Sequence, residues 1–175
     1  MAFKKLVVAT DGSDNAHRAV RMAADIASTY GAKLYILHCV LVGSVPKELL
    51  HWARVEHLVE DDGTQNDLPE WPGYGNLGVI GPNRERWVSY QARLQLGRAI
   101  LDEAMARARE SGVKDIEEVF EEGDAAKAVM ALVKREHIDL AVTGTRGLGV
   151  IDQMLVGSTS HKLTAMGRLP VLTVP

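Results

Sequence analysis

Short apolar runs, each closed by a cluster of Gly, Asp, Ser or Thr and each followed by a stretch of helical periodicity, recur along this chain of 175 residues. That alternation constrains the fold more tightly than any composition value, because strand–helix–strand repeats bury their apolar faces as helices packed on a parallel sheet. The first run, Leu6 to Ala9, stops at Thr10-Asp11-Gly12-Ser13, a set of turn and cap residues, and Ala16, Val20, Ala23, Ala24 and Ala27 then follow helical spacing up to Gly31. Leu34 to Val42 is almost continuously apolar, as a strand covered on both faces must be. Ile116 to Phe120, Ile138 to Thr143 and Leu169 to Val174 supply three more strands. Helices are predicted at about Trp87 to Ser111, after the N-cap Asp124, and at about Ser158 to Met166. The expected fold is α/β, an open five-stranded parallel sheet with helices on both faces and right-handed crossovers.

The interval from Gly43 to about Arg86 interrupts the rhythm with Pro46, Pro69, Pro72, Pro82 and the acidic cluster Glu60-Asp61-Asp62. We read residues 1–175 as a single domain carrying this interval as an insertion. Trp52, Trp71 and Trp87 fall in or beside it, so it is expected to pack on the domain or on a protein partner.

A net charge of −3 provides no basic field for nucleic acid or an anionic membrane, and no apolar run reaches membrane-spanning length. The run after Lys4-Lys5 ends at Asp11, too early for an export signal, and the single Cys39 excludes an internal disulfide. A cytoplasmic protein with a buried thiol is expected.

The chemistry concentrates in the segment that follows Thr143. Gly144, Gly147 and Gly157-Ser158-Thr159-Ser160 form a G-x2-G-x9-G-S pattern in which bare backbone N–H groups can approach an anion at the start of a helix. Phosphate is the natural occupant, although a mobile connection with an ordinary hydroxyl cap has the same composition. Arg146 is the one cation among these glycines, available to phosphate or to solvent. Ligands of open parallel sheets bind beyond the carboxyl ends of the strands, so adjacent first and fourth strands would make one cleft of the Asp11 turn and the glycine loop. Asp11 then suits ribose hydroxyls or an adenine amine, or else serves only its own turn.

Other nucleotide and catalytic patterns fail. Val150-Ile151 stands where a P-loop needs Lys followed by Ser or Thr, and Thr10 to Ser13 lacks the G-x-G-x-x-G of dinucleotide folds. His51, His57 and the neighbouring acids have no metal-ligand spacing, and His161 has no nucleophile elbow beside it. His17, His38 and His137 carry no readable signal. No catalytic or metal residue is therefore assigned.

On Val7-Val8-Ala9-Thr10-Asp11-Gly12-Ser13, Leu37-His38-Cys39-Val40, Glu122-Gly123-Asp124, Asp139 to Val142 and above all the glycine spacing, the chain resembles the universal stress protein family, in its ATP-binding branch. The resemblance implies a Rossmann-like, adenine nucleotide alpha hydrolase-like sheet of strand order 3-2-1-4-5. It implies ATP, with Mg2+ held through the phosphates, as cofactor of a regulatory stress-response protein. Asp11 would contact the ribose or adenine end, Cys39 or Val40 would line the adenine pocket, and Gly144, Gly147, Gly157, Ser158 and Thr159 would hold the phosphates, with Ala9, Thr10, Thr143 and Arg146 also in the cofactor-binding set. It also implies a homodimer through Leu169 to Val174. Ala9 stands where some ATP-binding members carry proline, and the insertion is longer than usual. The alternatives are a slow ATP-hydrolysing or phosphate-transferring enzyme, for which no water-orienting base is visible, and a nucleotide-independent module that binds a protein through the insertion.

Overall fold

The computed structural model describes residues 3–40, 90–145 and 158–175. The elements run β1 (Lys5–Ala9), α1 (Asp14–Tyr30), β2 (Lys33–Val40), α2 (Tyr90–Glu110), β3 (Ile116–Glu122), α3 (Ala125–Glu136), β4 (Leu140–Gly144), α4 (Ser158–Met166) and β5 (Val171–Val174). All five strands are parallel, in the order β3-β2-β1-β4-β5. The expected architecture and strand order are both present.

Side-chain alternation along the strands divides the core into two layers. Leu6 and Val8 of β1, Leu34 and Ile36 of β2, and Leu140 and Val142 of β4 face α1 and α2, where Ala19, Val20, Ala23, Leu101, Ala104 and Ala108 cover them. Val7, Tyr35, Leu37, Cys39 and Ala141 face the opposite side, against Ala126, Val129, Leu132 and Leu163 of α3 and α4. The central strands read as continuous apolar runs because both of their faces are covered.

Local signals account for the element ends. Ser13 caps α1, its hydroxyl accepting from the Ala16 N–H at 3.3 Å, and Gly31 closes the helix at φ 63°. Asp124 caps α3, and its carboxylate accepts from the Lys127 N–H at 3.1 Å. His137 ends α3 at φ 57°, a left-handed position with no glycine to announce it. Several boundaries differ from the sequence reading, β4 among them, which is Leu140–Gly144 rather than Ile138 to Thr143. β3 runs on to Glu122, because pairing with Cys39 and Val40 of β2 carries the acidic tail into the ladder. β5 begins at Val171, since Pro170 has no N–H to donate. The insertion at 43–86, its tryptophans and the apolar triplet Met154 to Val156 lie outside the described residues.

The candidate nucleotide edge

The order reversal between β1 and β4 builds the site. Ala9 is paired with Leu37 on one side and with Thr143 on the other, so the turn after β1 and the exit from β4 emerge side by side at the carboxyl edge of the sheet. Each helix returns antiparallel to its strands, which puts the first turns of α1 and α4 at the same edge.

The β1 turn is held from within. The Thr10 hydroxyl oxygen accepts from the Gly12 N–H at 3.3 Å, and Asp11 Oδ1 accepts from the Ser13 N–H at 3.1 Å. Asp11 thus does form the local turn that its neighbours suggest. Gly12 adopts φ 81°, and a Cβ there would lie 3.0 Å from Cγ1 of Ile100 in α2, so both conformation and space demand glycine.

Buried His38 supports this turn from beneath. Its Nδ1 lies 2.9 Å from the Thr10 carbonyl, which can only accept, so Nδ1 carries the proton. The Thr10 N–H in turn donates to the Leu37 carbonyl at 2.9 Å. Burial lowers the His38 pKa, against the opposing influence of the Thr10 hydrogen bond and the Asp11 charge. The other side of the ring faces α2, where a Cβ on Gly97 would stand 2.9 Å from His38 Cδ2 and 2.8 Å from Phe120 Cε2. Sequence reading missed His38, although a polar ring inside an otherwise apolar strand is itself a signal of a specific partner.

At the β4 exit, Thr143 is buried and Gly144 packs against the first turn of α1; a Cβ at Gly144 would meet the Asn15 backbone carbon at 3.0 Å. Asn15 Nδ2 donates to Thr145 Oγ1 at 3.2 Å, and the Thr145 N–H donates to the Val174 carbonyl at 2.7 Å. Cys39 lies in the α3–α4 layer, where burial first, then the Glu121 and Asp124 charges, push its thiol up to about 12. It is a neutral core thiol. Val40, also buried, ends β2 opposite Glu122. Ser158 and Thr159 open α4, and Lys162 in the next turn donates to the Asp124 carboxylate, tying α4 to the start of α3. Arg146, Gly147 and Gly157 lie outside the described residues. Ala9, Thr10, Asp11, Thr143, Gly144, Ser158 and Thr159 therefore share one edge, with Cys39 and Val40 at the end of the neighbouring strand.

The universal stress protein family model matches residues 2–68 and 77–175. The chain belongs to the universal stress protein family. A universal stress protein of Mycobacterium tuberculosis is 32% identical over 173 residues, covering 99% of this chain and 97% of that protein. Another from Bacillus subtilis is 28% identical over 174 residues, covering 98% and 99%. Among solved structures, a universal stress protein in complex with cAMP superimposes with a TM-score of 0.60 at 26% identity, covering 99% of this chain and 98% of that one. Like these relatives, this universal stress protein is matched over nearly its whole length. No helix among its described residues is long and apolar enough to cross a membrane.

Proposed function

We propose that this universal stress protein binds an adenine nucleotide, ATP with Mg2+ held through its phosphates, at the carboxyl edge between β1 and β4, and acts as a nucleotide-dependent regulatory protein of the cytoplasm. The observation that carries the reading is the pairing of Ala9 with Thr143, which sets the Asp11 turn beside the start of the G-x2-G-x9-G-S segment. Asp11 supplies acceptor oxygens for ribose hydroxyls, and Cys39 or Val40, where β2 ends, would line the adenine pocket. The hydroxyl-headed start of α4 and the glycines supply N–H groups for phosphate, with Arg146 as the added cation. These groups are chemically suited to a nucleotide, and a related protein of 26% identity has been solved with cAMP.

Binding, rather than turnover, is the activity. The glycine segment lacks the lysine by which P-loop enzymes hold and transfer phosphate. In the same reading two copies associate through β5, an edge strand whose outer backbone groups are bracketed by Pro170 and Pro175.

Calorimetry with ATP and Mg2+ tests the proposal. Uptake by the wild-type chain and its loss in Gly157→Val, with thermal unfolding unchanged, is the expected result. Absence of heat at millimolar ATP overturns it.

A further inference from the structure

We infer that Asn15 is a positioning residue for the phosphate-binding segment, acting through the Thr145 hydroxyl; this rests on the nucleotide reading above. Thr145 is the first residue after β4 and immediately precedes Arg146-Gly147. Its backbone is fixed to β5 by the Thr145 N–H bond to the Val174 carbonyl at 2.7 Å, and its side chain is fixed to α1 by the Asn15 bond at 3.2 Å. The first bond sets where the chain leaves the sheet. The second sets how that exit is turned relative to the Asp11–Ser13 turn, because Asn15 lies in the first turn of α1, two residues after the Ser13 cap.

Two further contacts specify the amide. Arg18 donates to Asn15 Oδ1, so the amide oxygen is committed to α1 and Nδ2 is presented to Thr145. Gly144 has no Cβ, and this allows the β4 exit to come within hydrogen-bonding reach of Asn15, since a Cβ there would press on the Asn15 backbone and on the Ala16 nitrogen at 3.1 Å. A Thr145 oxygen that accepts from Asn15 keeps its own proton to donate. The latch thus joins the turn assigned to the nucleoside to Thr145, where the segment assigned to the phosphates begins.

The experiment compares ATP with adenosine, both by calorimetry, on wild type, Asn15→Ala, Thr145→Val, Thr145→Ser and the Asn15→Ala/Thr145→Val double variant. A lost positioning hydrogen bond weakens ATP about 5- to 10-fold in Asn15→Ala and in Thr145→Val, with little further loss in the double variant. Thr145→Ser, which keeps the hydroxyl, restores ATP affinity. Adenosine affinity stays within about 2-fold throughout, because the nucleoside end does not depend on the latch. Equal losses of ATP and adenosine would reduce Asn15 to a structural residue of α1 and overturn the inference. Wild-type binding of ATP with both single variants unchanged overturns it alone; wild-type protein that takes up neither ligand overturns the nucleotide reading and the latch with it.

Discussion

His38 Nδ1 donates to the Thr10 carbonyl at 2.9 Å, joining the middle of the β2 core to the turn that carries Asp11. The ring is buried and neutral, and burial holds its pKa below 6.5. The folded state then binds fewer protons than the unfolded state as pH falls below 6.5, so the stability supplied by neutral His38 is complete above that pH and declines in acid. Urea unfolding at pH 7.5 and 5.5 is expected to show a loss at the lower pH that His38→Gln diminishes. An identical acid loss in the variant would assign the effect to other groups.

Gly97 touches the other side of the same ring. Alanine ordinarily stabilises a helix interior over glycine by about 1 kcal/mol. Here the added methyl would lie 2.8 Å from Phe120 and 2.9 Å from His38, inside a packed layer. Overpacking costs typically about 1–3 kcal/mol, so the clash outweighs the propensity and Gly97→Ala is expected to lower the urea midpoint. A raised midpoint would show that the His38 and Phe120 rings yield freely.

Asp124 has two roles, as N-cap of α3 and as ion partner of Lys162 in α4. The Lys162 contact, then the Lys127 N–H, hold its carboxyl below the usual 3.8, so this contribution is present above pH 3.8 and fades as acid protonates it. Asp124→Asn keeps a cap and loses only a half-exposed ion pair, whereas Asp124→Ala loses both. Thermal unfolding is expected to place Asp124→Ala about 1–2 kcal/mol below wild type and Asp124→Asn much closer to it. Equal losses would make the ion pair the dominant contact.

Cys39 is the only cysteine in the chain, which makes its reactivity simple to measure. With the thiol pushed up to about 12 by burial and two nearby carboxylates, thiolate is scarce at pH 8. Iodoacetamide at pH 8 is expected to leave the folded protein largely unmodified and to label it rapidly in denaturant. Rapid labelling of the folded form would contradict the core position.

The strands and helices were legible in the sequence because each is specified locally. Leu6 to Ala9 and Leu34 to Val42 announce two-faced strands by continuous apolar character, and Ser13, Gly31 and Asp124 mark helix ends through their own backbone chemistry. The residues of the candidate edge were equally readable, since Asp11 and Gly144 sit at the carboxyl ends of recognisable strands. His38, Gly97 and Asn15 were not. Their partners, Thr10, Phe120 and Thr145, come from different elements, and a hydrogen bond or steric limit between distant segments leaves no periodic trace.

The sequence by itself determined that five parallel strands would alternate with helices, and that Ser13, Gly31 and Asp124 would mark helix ends, because hydrophobic period and turn chemistry act over a few residues. Only the tertiary structure decided that Ala9 lies beside Thr143, that His38 carries the Thr10 carbonyl and that Asn15 holds Thr145. Those relationships depend on how the sheet closes around β1 and how closely α1 and α2 approach it. Close approach is a property of packed volume and direction, and it exists only once the chain has folded.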